Sequence, residues 1–193
     1  MRYDVLVIGT SSGGIDALKK ILTNFLYINK IAIVIILHLA SNSKSYLSNI
    51  FSSLVQKDVY EIEDKMNIKR GAVFIAPPNY HVLIEKDGTF TLITTERVCY
   101  ARPSIDVTFE SVADTFGESA IGLLLTGANH DGGQGLKQIK IAGGYTMVQN
   151  PNTAQSREMP EYGITQANPH EIIELKEIAT RLNEILKNNG DIG

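Results

Sequence analysis

The stretch Val5-Leu6-Val7-Ile8-Gly9-Thr10-Ser11-Ser12-Gly13-Gly14 decides the fold. Its first half is a short apolar run, which is typical of a strand buried on both faces of a parallel sheet. Its second half is a glycine-rich turn. A helix should follow, because apolar residues then recur at the spacing of one helix face, at Ile15, Leu18, Leu22 and Phe25. The stretch therefore predicts a strand, a sharp turn and a helix, with Ser11 at the turn.

The segment Gly9-Thr10-Ser11-Ser12-Gly13 matches G-x-S-x-G, the spacing of a nucleophile elbow. Glycine permits the unusual backbone angles and the close strand-to-helix approach of such a turn. The Ser11 hydroxyl would then lie beside the N–H groups of a helix N-terminus. Glycine-rich turns of this kind also bind phosphate, so the motif alone leaves a nucleophile, a nucleotide-binding turn and a packing turn open.

Composition limits the classes of protein that need to be considered. A chain of 193 residues fits a single domain, here 1–193, with a sizeable core. Its 18 basic and 21 acidic residues give no strong field for nucleic acid or an anionic membrane, and no apolar run approaches the ~20 residues of a membrane span. A single cysteine, Cys99, and four dispersed histidines indicate neither a disulfide nor a metal site. The N-terminus enters a strand without signal-peptide features, so we expect a cytoplasmic protein without membrane insertion.

Apolar runs alternate with amphipathic segments along the rest of the chain. Further strands are predicted at 31–37, 72–76, 120–125 and 145–149, with a short edge strand at 59–62. Helices are predicted at 44–55 with possible caps at Ser41, Asn42 and Ser43, at 105–116 with a cap at Ser104, from the 126–133 loop to about 142, and at 169–186. A polar loop is predicted from Pro151 through Pro160. Asp87-Gly88 indicates a hairpin between 81–84 and 90–94.

This alternation predicts an α/β fold: a doubly wound, mostly parallel sheet with helices on both faces and one antiparallel β-hairpin insertion. Functional sites in such sheets form beyond the carboxyl ends of the strands. Ser11, His38 and Asp131 lie at or just beyond strand ends. They could serve as nucleophile, general base and orienting acid of a triad, with His130 as a rival base.

Two related α/β classes fit the same residues less well. A dinucleotide-binding fingerprint needs a glycine where Ser11 stands, and an acidic residue at the end of the second strand, where His38 stands. The common α/β-hydrolase triad has the chain order Ser, acid, His, whereas the order here is Ser, His, Asp. A non-catalytic or nucleotide-binding module that reuses this fold remains the alternative to a serine esterase.

Six ordered segments resemble the catalytic domain of the chemotaxis protein-glutamate methylesterases of the CheB type. They are Gly9-Thr10-Ser11-Ser12-Gly13-Gly14, Leu37-His38, Ile75-Ala76-Pro77-Pro78-Asn79-Tyr80-His81, Arg102-Pro103-Ser104-Ile105-Asp106, Leu125-Thr126-Gly127-Ala128-Asn129-His130-Asp131-Gly132 and Met159-Pro160. The resemblance implies that Ser11, His38 and Asp131 form the triad. It also implies hydrolysis of glutamate methyl esters on the cytoplasmic helices of chemoreceptors, with deamidation of receptor glutamines in many members.

The same resemblance implies a chemoreceptor partner, a glutamate methyltransferase as functional counterpart, and no cofactor. The N–H of Ser12 is the first expected oxyanion donor, because it follows the nucleophile at a helix start. Ala128 and Asn129 replace a Met and a Gly of the family pattern, and with Arg102 they are candidate substrate contacts. Family members usually carry an N-terminal receiver domain, and this chain is expected to be a catalytic domain without one.

Overall fold

The computed structural model describes residues 2–38, 47–55, 57–187 and 189. Its strands are β1 (Val5–Thr10), β2 (Ala32–Leu37), β3 (Val59–Glu61), β4 (Val73–Ile75), β5 (His81–Ile84), β6 (Phe90–Ile93), β7 (Ala120–Leu124), β8 (Tyr145–Gln149) and β9 (Glu171–Ile173). Its α-helices are α1 (Gly14–Thr23), α2 (Leu47–Val55), α3 (Ile105–Phe116), α4 (Gly133–Ile141), α5 (Glu158–Ala167) and α6 (Ile178–Leu186).

A seven-stranded parallel sheet in the order β3-β4-β2-β1-β7-β8-β9 forms the centre of the fold. Strand β1 pairs with β2 on one side and with β7 on the other, and all of its residues are buried. The hairpin of β5 and β6 is a separate two-stranded antiparallel sheet. The predicted α/β fold class is therefore confirmed, including the edge position of 59–62.

Helices cover both faces of the parallel sheet. One apolar cluster joins the sheet to α1, α2 and α6 through side chains such as Leu18, Phe51 and Leu182. A second cluster joins the opposite face to α3, α4, α5 and the hairpin, and it includes Phe109 and Phe90. The continuous apolar character of β1 and β2 follows from this arrangement, since both faces of each strand lie in a core.

Two glycines of the opening motif are required by geometry. Gly13 has a φ of 83° where α1 begins, and a Cβ there would lie 2.7 Å from the Cβ of Gln155. A Cβ on Gly9 would lie 2.4 Å from Cγ2 of Ile105, the first residue of α3. The close approach of α3 to β1 therefore depends on the missing side chain at position 9.

The structure differs from the sequence prediction in the last quarter of the chain. The predicted polar loop through Pro160 is wrong there, because α5 begins at Glu158 and Pro160 lies in its first turn, where no backbone N–H is needed. The predicted final helix at 169–186 is also wrong in its first half. Strand β9 precedes α6, and the carbonyl of Ile173 accepts a hydrogen bond from the N–H of Asn150 at 2.7 Å.

Helix α2 corresponds to the second predicted helix. Helix α2 is described from Leu47, whereas the predicted caps Ser41, Asn42 and Ser43 and the predicted first residue Lys44 lie outside the described residues. Within the ranges given above, none of the helices has the length and apolar character needed to cross a bilayer.

Gly9→Ala tests the contact between β1 and α3. The added methyl group would overlap the Ile105 side chain, and overpacking of this kind typically lowers the free energy of unfolding by about 1–3 kcal/mol. Urea denaturation of the variant and the wild type measures the change. Ser52→Ala, on the exposed face of α2, is the control and should stay within about 0.5 kcal/mol of wild type. Equal stability of Gly9→Ala and wild type would contradict the required close approach.

Candidate active site

The candidate residues follow three adjacent strands at the carboxyl edge of the sheet. Thr10 of β1 is paired with Leu37 of β2, so Ser11 and His38 leave the sheet at the same level. Asp131 lies in the loop between β7, on the other side of β1, and α4. The connections from β1 and β7 run to opposite faces at this point, which is where parallel α/β sheets form a crevice.

The Asp131 carboxylate is completely buried and accepts four hydrogen bonds. Oδ1 accepts from Oγ of Ser104 at 2.9 Å and from the N–H of Asp106 at 3.0 Å. Oδ2 accepts from the N–H of Ile105 at 2.6 Å and faces Nε2 of His38 at 2.9 Å. Two of the donors are N–H groups in the first turn of α3, where the helix dipole also favours a negative charge.

These partners determine the ionisation of Asp131. Burial alone would raise the pKa of this carboxyl, but the hydrogen bond from His38 and those from the Asp106 and Ile105 N–H groups hold the pKa below its usual value. The carboxylate therefore stays ionised and can only accept hydrogen bonds, so Nε2 of His38 must carry a proton. In the neutral ring, Nδ1 is then the nitrogen with a free lone pair.

The other nitrogen of His38 faces Asn129. Nδ2 of Asn129 lies 3.3 Å from Nδ1 of His38, while Oδ1 of Asn129 accepts the N–H of Asp131 at 3.2 Å. The amide orientation is consistent, because the oxygen faces a donor and the NH₂ group faces a lone pair. Asn129, a candidate substrate contact, is thus placed beside the candidate base, whereas its neighbour Ala128 is exposed.

Thr126 connects the Ser11 turn to the loop that carries Asp131. Its carbonyl accepts the Ser11 N–H at 3.0 Å and the Thr10 hydroxyl at 2.9 Å, and its own hydroxyl donates to the carbonyl of Ser12 at 2.8 Å. Within the described residues, neither the Ser11 hydroxyl nor the Ser12 N–H has a hydrogen-bond partner. Both groups are therefore available at the carboxyl edge of β1.

Ser11 and His38 open onto a cavity of about 280 Å³. Its lining includes Asn129 and the segment 97–103, apart from Val98. In this segment Cys99 and Tyr100 have φ values of 48° and 64°, and they form the tip of a tight turn between Val98 and Ala101, whose backbones bond to each other. The Tyr100 side chain is 95% exposed at the rim.

Arg102, another candidate substrate contact, lies in the cavity wall and also braces it. Its Nη1 donates to the carbonyls of Thr94 and Thr95 at 3.0 and 2.9 Å.

The rival base His130 lies outside the cavity that Ser11 and His38 share. Its ring stacks on Tyr162 of α5 with the centroids 4.5 Å apart.

One group of possible metal ligands lies at the site. The Sγ of Cys99 and carboxylate oxygens of Asp106 and Asp131 are within 4.8 Å of one another. The lone pairs of Asp131 are already used by its four donors, and burial and the neighbouring carboxylates raise the pKa of the Cys99 thiol. A protonated thiol and a saturated carboxylate do not make a cation site.

Several residues that support Asp131 and its loop have no role at the site that the sequence pattern predicts. Ser104 was predicted only as a helix cap, and Asp106 only as part of a motif. His81 is fully buried: its Nδ1 accepts the Ser104 N–H at 3.1 Å and its Nε2 donates to the Glu96 carbonyl at 2.9 Å. Met159 packs against Gly127, where a Cβ would lie 2.5 Å from its Cε. The signal available was that these residues fall in the segments that carry the resemblance.

Fold and site together define a doubly wound α/β domain with serine, histidine and aspartate at the strand ends of the crevice. The sequence pattern of the family described as CheB methylesterase matches residues 6–182. The chain belongs to the CheB methylesterase family.

Individual proteins agree with the family match. A Leptospira interrogans protein is 43% identical over 189 residues, covering 98% of each chain, and is provisionally named a protein-glutamate methylesterase/protein-glutamine glutaminase. A Rhodospirillum rubrum protein-glutamate methylesterase/protein-glutamine glutaminase is 33% identical over 92% of this chain and 50% of its own length. The crystal structure of the Thermotoga maritima CheB methylesterase catalytic domain superposes with a TM-score of 0.89 at 26% identity, over 96% of this chain and all of that one.

Asp106→Asn tests the electrostatics behind the site. Burial, and to a lesser degree the charge of Asp131, raise the pKa of the Asp106 carboxyl from 3.8 to about 6. The Gly135 N–H, which donates to this carboxyl at 2.7 Å, acts in the opposite direction. The folded state therefore binds more protons than the unfolded state between these values, and stability falls as pH rises from about 4 to about 6. The full difference corresponds to about 3 kcal/mol.

The asparagine variant keeps an oxygen for the Gly135 N–H but cannot ionise. Urea denaturation between pH 4 and pH 8 should show the variant gaining stability relative to wild type up to about pH 6 and holding a constant difference above pH 7. The contribution of Asp131, whose lowered pKa acts in the opposite direction at lower pH, is present in both proteins. A difference that does not change with pH would contradict a raised pKa at Asp106.

Proposed function

We propose that this protein is a protein-glutamate methylesterase, also active as a protein-glutamine deamidase, that uses Ser11, His38 and Asp131 as a catalytic triad. The observation that carries the proposal is the 2.9 Å contact between His38 and the buried Asp131, together with the cavity at the carboxyl edge of the sheet that His38 and Ser11 both line. Family membership and the names of the relatives support this activity over a nucleotide-binding module.

Acylation begins when the Ser11 hydroxyl attacks the side-chain methyl ester of a glutamate residue. As Oγ bonds to the carbonyl carbon, its proton passes to Nδ1 of His38, since Nε2 is already protonated and bonded to Asp131. The oxyanion that forms accepts the Ser12 N–H at the start of α1. His38 then returns the proton to the methoxide, so that methanol leaves and an acyl-serine remains.

Deacylation repeats these steps with water. His38 takes a proton from the water as its oxygen bonds to the acyl carbon, and the proton returns to Oγ of Ser11 when glutamate is released. A glutamine side chain follows the same path with ammonia as leaving group. Asp131 stays ionised throughout and stabilises the imidazolium that forms in each half-reaction.

The proposed substrate is a chemoreceptor or receptor-like protein that a glutamate methyltransferase modifies, and the proposed location is the cytoplasm. Arg97 and Arg102 line the cavity and suit a substrate segment rich in glutamate. Arg102, Ala128 and Asn129 are the proposed substrate contacts. No cofactor is needed, because nucleophile, base and oxyanion donor all come from the chain.

Ser11→Ala should lower kcat by at least about a thousandfold, because the acyl-enzyme cannot form without the hydroxyl. Methanol released from a methylated receptor fragment is the readout. Ser53→Ala, on the exposed surface of α2, is the control and should match wild type. Turnover by purified Ser11→Ala close to that of wild type would refute serine catalysis.

A pair of histidine variants separates the two candidate bases. His38→Ala should lower kcat by about a thousandfold or more, because His38 is the group that faces the buried Asp131 and lines the same cavity as Ser11. His130→Ala removes a ring that stacks on Tyr162, and its kcat should stay within about threefold of wild type. The assay is again methanol release. The reverse order of the two effects would transfer the role of base to His130.

A further inference from the structure

The ring nitrogen of His38 that keeps its lone pair, Nδ1, is in contact with another side chain. Nε2 must donate to the ionised Asp131, so only Nδ1 can accept the proton of Ser11. Nδ2 of Asn129 lies 3.3 Å from this nitrogen. In the proposed reaction, on which this inference rests, the Asn129 amide and the Ser11 hydroxyl therefore compete for one lone pair.

The orientation of the Asn129 amide is fixed independently of His38. Its Oδ1 accepts the N–H of Asp131 two residues further along the same loop, at 3.2 Å. This is a common local bond for an asparagine side chain, and it turns the NH₂ group towards the imidazole. The competing donor is thus held in place by the loop that carries the catalytic acid.

We propose that Asn129 is a positioning residue that keeps His38 in a resting state by donating to Nδ1, and that this contact must break before His38 can deprotonate Ser11. The contact exists only while Nδ1 is unprotonated. Once Nδ1 receives a proton, two N–H donors face each other and repel. Asn129 therefore stabilises the ground state relative to the transition state and slows acylation.

Asn129→Ser is the variant that isolates this contact. A serine hydroxyl can still accept the Asp131 N–H, but it is too short to reach Nδ1 of His38. The variant should react faster than wild type. A hydrogen bond of ordinary net strength corresponds to about a two- to tenfold change in rate.

The experiment measures how fast a fluorophosphonate modifies Ser11, together with kcat and KM for ester hydrolysis. Asn129→Ser should raise the modification rate and kcat by about two- to tenfold, whereas a lost substrate contact would change KM. Asn129→Asp keeps the bond to Asp131 but places an anionic oxygen against Nδ1, which holds a proton there, so it should be slower than wild type. Asn152→Ser is an exposed matched control and should match wild type. Ser11→Ala identifies the modified residue.

The rate should rise in Asn129→Ser and fall in Asn129→Asp, and these opposite changes distinguish this role from a purely structural one. If Asn129→Ser is equal to or slower than wild type, the proposal is overturned while the triad stands. Should the serine variant fail to fold, Asn129→Ala must give the same increase. If folded wild-type protein is not modified at Ser11 and has no esterase activity, the triad itself is refuted, and the inference with it.

Discussion

One buried negative charge, on Asp131, constrains the rest of the site. A carboxylate without exposure to water would cost several kcal/mol or take up a proton unless donors surround it. Three of its four donors come from the start of α3, so this helix must begin within hydrogen-bond distance of the loop after β7. Helix α3 can do so only because Gly9 has no side chain to meet Ile105. A glycine in the serine motif thus allows the hydrogen bonds that hold Asp131.

The residues that hold Asp131 in place also bring a second carboxylate, that of Asp106, close to it. The backbone of Asp106 donates to Asp131, while its side chain accepts the Gly135 N–H in the first turn of α4. Two helix N-termini are thereby held on one loop, and two carboxylates lie close together in a buried place. The hydrogen bonds from His38 and from the Asp106 and Ile105 N–H groups lower the pKa of Asp131, whereas burial and the charge of Asp131 raise the pKa of Asp106. The ionisation of Asp106 therefore lowers the stability of the fold near neutral pH.

The central sheet and the position of the three candidate residues at its carboxyl edge could be predicted because the signals are local. Apolar runs mark β1, β2 and β7; Ser11 and His38 follow their strands directly, and Asp131 lies in the loop after β7. Strand β9 and helix α5 could not be predicted in this way. Strand β9 has three residues and is defined by pairing with β8, and Pro160 in α5 suggests a break until its place in the first turn is known. The roles of Ser104 and Thr126 also stayed hidden, since each depends on a partner at least 20 residues away.

The order of the strands explains why Nε2 of His38, and not Nδ1, faces the carboxylate. In the serine-protease arrangement, Nδ1 faces the acid and Nε2 faces the nucleophile. Here the histidine follows β2, the proposed nucleophile Ser11 follows the neighbouring β1, and the proposed acid Asp131 lies in the loop after β7 beyond it. With neighbouring strands ~4.8 Å apart, the acid comes from a strand about twice as far from β2 as that of the serine. Nε2, the nitrogen farther from the backbone, reaches the distant Asp131, which leaves Nδ1 as the nitrogen with the lone pair. Either nitrogen of an imidazole can carry the proton while the other keeps the lone pair, so the same proton transfers remain possible with the ring turned round.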